Sequence, residues 1–162
     1  MPTLRIELKK GRGGPDSLAC VRADGSRTWE RVQAAIALHD LVHFVVEREF
    51  RWTDGFYGLV ASGWSITDFY DKEKARTLPP GALRAEHMVA FFWRELGGQE
   101  EPGLADFHAA IDAQNAKEPA LALPHPTQAQ VERVRREVRD LASRWRAVAA
   151  GKTLALEFVV GA

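Results

Sequence analysis

Two stretches with the two-residue period of a β-strand stand at opposite ends of this chain. Near the start, TLRIELKK alternates Leu4, Ile6 and Leu8 with charged residues; near the end, TLALEFVV alternates Leu154, Leu156 and Phe158 with small or charged ones. Such a segment buries one face and leaves its backbone N–H and C=O groups in need of a neighbouring strand. The N-terminal strands are the obvious partners for the C-terminal one. The pattern therefore predicts that the two ends of the chain meet in one small antiparallel sheet, with the helical middle packed on one of its faces. This is an α+β fold.

The rest of the sheet follows from the first thirty residues. In SLACVRADGSRTWERV, apolar residues flank Asp24-Gly25, a pair that tolerates the positive φ of a tight turn, so a meander is expected over about residues 2–31. GRGG, at 11–14, reads as the loop between the first two strands. The middle reads as four to five helices: 33–51; FYGLVASGW, loosened by Gly58 and Gly63; 82–96, bracketed by Pro79-Pro80-Gly81 and Gly97-Gly98; LADFHAAIDAQNA; and 128–150. Residues 118–126 carry three prolines and form a connector. The last helix has Thr127 and Gln130 in capping-box spacing and a stripe of Val131, Val134, Val138, Leu141, Trp145 and Val148. Its arginines are interleaved with Glu132, Glu137 and Asp140, the pattern of a solvated face.

Length and charge narrow the class. A chain of 162 residues is expected to form a single domain, 1–162, with one core. Lys plus Arg balances Asp plus Glu at 22 each, so no global field draws the protein to nucleic acid or an anionic membrane. No segment approaches the roughly 20 apolar residues of a membrane span, and the start lacks the apolar run of a signal peptide, so a cytoplasmic protein is expected. Cys20 is the only cysteine and sits in a strand pattern, where an inert, half-buried thiol is expected.

LHDLVHFVVERE, at 38–49, holds the candidate chemistry. At 100° per residue His39, His43, Glu47 and Asp40 fall at about 0°, 40°, 80° and 100°, one polar sector on a helix whose remaining circumference is largely apolar. Buried imidazole and carboxylate groups require partners. One solution is a divalent metal (zinc, iron or manganese): imidazoles one turn apart can converge on one ion, with Glu47 as a third ligand or as a hydrogen-bond partner of a ligating ring. Asp40 would then orient a ligand or take a proton from water. The other solution is a metal-free histidine–carboxylate network tying this helix to its neighbours. Outside the helix, Glu86 and His87 are the best candidate donors, an acid–histidine pair on an apolar helix, whereas His108 reads as helix surface and His125 as loop.

His39-Asp40-Leu41-Val42-His43 resembles the HDxxH motif of the Coq4 family of ubiquinone-biosynthesis proteins, mainly helical proteins that carry a metal at that motif. The resemblance implies a metal here and covers about five residues. Where that family places a glutamate twelve residues after the second histidine, this chain has Gly55, with Asp54 one residue short. More broadly, ALHDLVHFVVE followed by GFYGLVASGW resembles a group of small bacterial proteins of unknown function, which implies no activity.

The sequence lacks GxSxG, the P-loop pattern, GxGxxG and HExxH, so the common hydrolase, nucleotide and zincin signatures are absent. Two functions stay open. One is a metal-binding protein with hydrolase-like chemistry built on His39, His43, Glu47 and Asp40. The other is a non-enzymatic interaction module in which the aromatics Trp52, Phe56, Tyr57, Trp64, Phe69 and Tyr70 contact a protein partner or a second copy of the chain.

Overall fold

The computed structural model describes residues 1–162. Strands β1 (Thr3–Lys9), β2 (Asp16–Arg22) and β3 (Arg27–Val32) form the meander, and β4 (Thr153–Val159) closes a four-stranded antiparallel sheet in the order β3-β2-β1-β4. The two ends of the chain meet as the alternation predicts. Leu4, Ile6 and Leu8 of β1 stand opposite Phe158, Leu156 and Leu154 of β4, and all three β1 residues are fully buried. The β2–β3 turn forms where Asp24-Gly25 predicts it. Gly25 adopts φ 84°, and Asp24 Oδ1 accepts the Ser26 N–H (2.8 Å) and hydroxyl (2.6 Å), replacing backbone partners at the turn tip.

Six helices lie between β3 and β4: α1 (Ala34–Glu49), α2 (Phe56–Ala61), α3 (Lys72–Ala75), α4 (Pro80–Leu96), α5 (Leu104–Lys117) and α6 (Gln128–Ala147). Four are long. One continuous core joins β1, β2 and β4 to α1, α4, α5 and α6, and Cys20 is fully buried in it rather than half-buried. α6 begins with the expected capping box, Thr127 and Gln130 each accepting the other's backbone N–H. It stops at Ala147, three residues earlier than its pattern suggests. There the Lys10 ammonium donates to the Trp145 carbonyl (2.6 Å) and lies over the Trp145 ring, satisfying an open end of the helix. Gly151 (φ 78°) then turns the chain into β4.

Two differences from the sequence reading bear on the site. α1 ends at Glu49 because Arg51 takes the left-handed conformation (φ 54°) and the Trp52 N–H returns to the Glu47 carbonyl (2.9 Å), a helix stop with no glycine to announce it. α4 starts at Pro80, two residues early, because proline at the first helical position has no N–H to lose. Ile66–Phe69, a short 3-10 helix, and α3 occupy a stretch the sequence left without structure. None of the helices is long and apolar enough to cross a membrane.

Candidate metal centre

α1 and α4 pack side by side and bring together five of the singled-out polar residues. His39, Asp40, His43 and Glu47 share the expected sector of α1, and Glu86 faces them from α4. His39 Nε2 lies 3.1 Å from Glu86 Oε1, and His43 Nε2 lies 2.8 Å from Glu86 Oε2. The donor atoms of His39, His43 and Glu86 all fall within 4.8 Å of one another; two bonds near 2.0–2.1 Å reach across at most about 4.2 Å, so an ion held by all three would draw the donors slightly closer together.

Glu47 lies behind His43, away from this group. Its Oε1 is 3.2 Å from His43 Nδ1, and its Oε2 accepts the Tyr57 N–H (3.0 Å) and, more weakly, the Gly58 N–H (3.4 Å). The local sequence explains the position. α2 starts after Gly55, which has no side chain with which to cap it, so the Glu47 carboxylate serves as the cap from another helix. A Cβ at Gly55 would collide with that carboxylate. Glu47 is fully buried, and these contacts take up both of its oxygens.

His43 therefore sits between two carboxylates, and this sets its chemistry. A neutral ring has one N–H for two carboxylates; with it on Nδ1, toward Glu47, Nε2 presents a lone pair to another acceptor, Glu86. Two acceptors 2.8 Å apart need a cation between them. Without a metal that cation is a proton: burial pulls the imidazole down, but the hydrogen bonds to Glu47 and Glu86 outweigh it and raise His43 to about 10. Burial likewise pushes Glu86 up, and the hydrogen bonds from His39 and His43 outweigh it, holding Glu86 well below the usual carboxylate range. A divalent ion can replace the proton.

Asp40 differs from its neighbours. It is 7% exposed, and its carboxylate accepts no hydrogen bond from the protein. Only its backbone carbonyl is engaged, by the Tyr57 hydroxyl (3.1 Å). Burial pushes the Asp40 carboxyl up to about 7, against the pull of His43 and His39. With His39, His43 and Glu86 it lines a cavity of about 330 Å³ whose remaining wall is mostly apolar, including Phe56, Phe69 and Leu78.

The other singled-out residues lie elsewhere. His87 pairs with Glu118 at 3.2 Å, His108 Nε2 lies 2.7 Å from the Pro126 carbonyl, and His125 pairs with Asp112 at 2.8 Å. Asp54 faces Gly81 and Arg84 at the start of α4. Of the aromatics, Tyr57 is fully buried, while Trp52, Phe56, Trp64 and Phe69 are half-buried and Tyr70 is 66% exposed. Phe56 packs against Phe69 (4.7 Å between centroids) and Tyr57 (4.9 Å), so this group forms the cavity wall as well as part of the core. The arginines of α6 are largely paired with acids, Arg133 with Glu49 and Arg135 with Glu95 among them.

Fold and site together define an α+β protein with a cluster of two histidines and one glutamate lining a largely apolar cavity. Comparison of the chain with known protein families, with curated proteins and with solved structures finds no match.

Proposed function

We propose that this protein binds one divalent metal ion through His39 Nε2, His43 Nε2 and the Glu86 carboxylate, and uses it for hydrolase-like chemistry in the adjoining cavity. The observation that carries the reading is the convergence of three donor groups from two helices beside a buried carboxylate with no partner of its own. Two imidazoles and one carboxylate are the donor set of catalytic zinc sites and of non-haem iron sites, and both leave coordination positions open. Manganese, which favours oxygen donors, fits less well. The resemblance of the 39–43 segment to a metal-carrying motif points the same way.

In this reading Glu47 is a positioning residue: it holds the Nδ1–H tautomer of His43 and so directs the Nε2 lone pair at the ion. The metal would supply Lewis acidity at the cavity floor. Asp40, free of other partners, would accept a proton from a reacting water at its carboxylate. Cobalt(II) titration of chelator-treated protein tests the ligand set. Visible absorption bands of low symmetry in the wild type, lost in Glu86→Ala and His43→Ala, are expected; bands that survive Glu86→Ala would overturn the assignment.

A second reading rests on the same distances. Every donor in the cluster except the Asp40 carboxylate already has a hydrogen-bond partner at 2.8–3.2 Å, so the group also serves as a metal-free network joining α1, α2 and α4. Under that reading cobalt produces no site-specific bands in the wild type.

A further inference from the structure

The cavity above the cluster has a composition that selects its ligand. Of its eleven lining residues, none is lysine or arginine; protonated His43 is paired with Glu86 at 2.8 Å, which leaves the Asp40 carboxylate without a cation of its own. A phosphate or free carboxylate would meet the Asp40 charge, which no lysine or arginine on the wall offsets. The wall is built from Ile36, Phe56, Phe69, Leu78 and Leu83. Three of the chain's exposed large hydrophobic residues, Ile36 (40%), Tyr70 (66%) and Leu83 (46%), all stand on this one cavity. Its volume, about 330 Å³, is at the lower end of the range for small-molecule sites. Asp40, a residue 7% exposed, turns into this cavity a carboxylate that accepts no hydrogen bond from the protein.

An acceptor with no protein partner, set among apolar walls, is complementary to a neutral ligand that brings its own donor. We propose that this cavity binds a small neutral molecule with a single-ring or branched-chain apolar body and an amide head. The head's N–H donates to Asp40, and its carbonyl faces the His39/His43/Glu86 cluster. An ester offers no N–H, and an acid repeats the charge already on the floor. The carbonyl contact rests on the metal reading; the donor contact and the apolar body stand without it.

The test is a calorimetric or NMR titration at about pH 8 with phenylacetamide, phenylacetate, phenethylamine and acetamide. Each is run on chelator-treated and on zinc-loaded wild type, on Asp40→Leu, which replaces the two acceptor oxygens by methyl groups on the same branched frame, and on Leu83→Arg at the exposed rim. Phenylacetamide is expected to bind at least tenfold tighter than the other three, and Asp40→Leu to weaken it by tenfold or more while both variants keep the wild-type circular dichroism. Leu83→Arg should weaken every ring-bearing probe. Equal or tighter binding of phenylacetate or phenethylamine, no saturable binding of phenylacetamide, or an unchanged Asp40→Leu overturns the inference. So does a dimer, detected by sedimentation, that occupies the cavity and excludes the amide. Zinc uptake without amide binding defeats this inference and spares the metal reading; amide binding that needs Asp40 in a protein that takes up no zinc does the reverse.

Discussion

Two carboxylates set the state of His43, and one of them, Glu47, has a second task. Glu47 bonds the Nδ1 side of the ring and the first N–H groups of α2 at once. Glu47→Gln cannot serve both: if its NH2 faces His43, the ring must carry its hydrogen on Nε2, where the metal would bind; if its carbonyl faces His43, its NH2 opposes the Tyr57 N–H. We predict about 10- to 100-fold weaker metal binding in this variant, measured by competition with a chromophoric chelator. Because His43 holds its proton up to about 10 in the metal-free protein, metal must displace that proton. Uptake at neutral pH should release about one proton per ion, and apparent affinity should rise with pH until His43 deprotonates unaided near that value. Calorimetry in buffers of different ionisation enthalpy counts the protons. Cys20 gives an independent check on the core: burial, reinforced by the Asp40 charge, pushes its thiol up to about 12. A thiol reagent at neutral pH should label it only as fast as the protein opens, and at once in denaturant.

At the level of elements, β1, β4 and α6 were legible from periodicity, and the others from the turn residues, prolines and glycines that bound them. β1 and β4 alternate strictly, and α6 has both its cap and its stripe. The same legibility extended to His39, His43 and Asp40, which one helix brings to one face. It stopped where the third dimension begins. The role of Glu86 depends on the rotation of α4 against α1, and no periodicity in either helix encodes that angle; the sequence offered Glu86 and His87 alike, and packing turned one to the cluster and the other to Glu118. Glu47 was legible as a ligand or as a ring partner, but its capping of α2 was not, because a cap supplied from ten residues upstream leaves no local signature. The α4–α6 contact yields a further prediction. Arg135 and Glu95 form a bidentate pair with side chains only 10% and 8% exposed, whereas Arg139 and Glu101 are exposed. Arg135→Ala should cost about 2–3 kcal/mol in denaturant unfolding, below the loss for a fully buried pair, and Arg139→Ala less than about 1 kcal/mol.

Across the whole molecule, sheet and helices share one continuous core, and the candidate centre lies at its edge, where α1 and α4 meet the cavity. An ion bound there joins two elements distant in sequence, so its binding free energy adds to the stability of the fold. At zinc concentrations about a thousand times the dissociation constant the gain is about 4 kcal/mol, which for a protein of this size corresponds to a rise in Tm of roughly 10 °C. Differential scanning calorimetry should show that rise in the wild type and its absence in His43→Ala.

The most direct test of the account is elemental analysis of protein purified without chelators or a histidine tag, alongside His39→Ala, His43→Ala and Glu86→Ala. Near-stoichiometric zinc or iron in the wild type, lost in all three variants while they stay folded, is the result the account predicts. A wild type that holds no metal even after exposure to zinc, iron and manganese, with variants that are only less stable, would contradict it and leave the cluster as a hydrogen-bonded joint between helices.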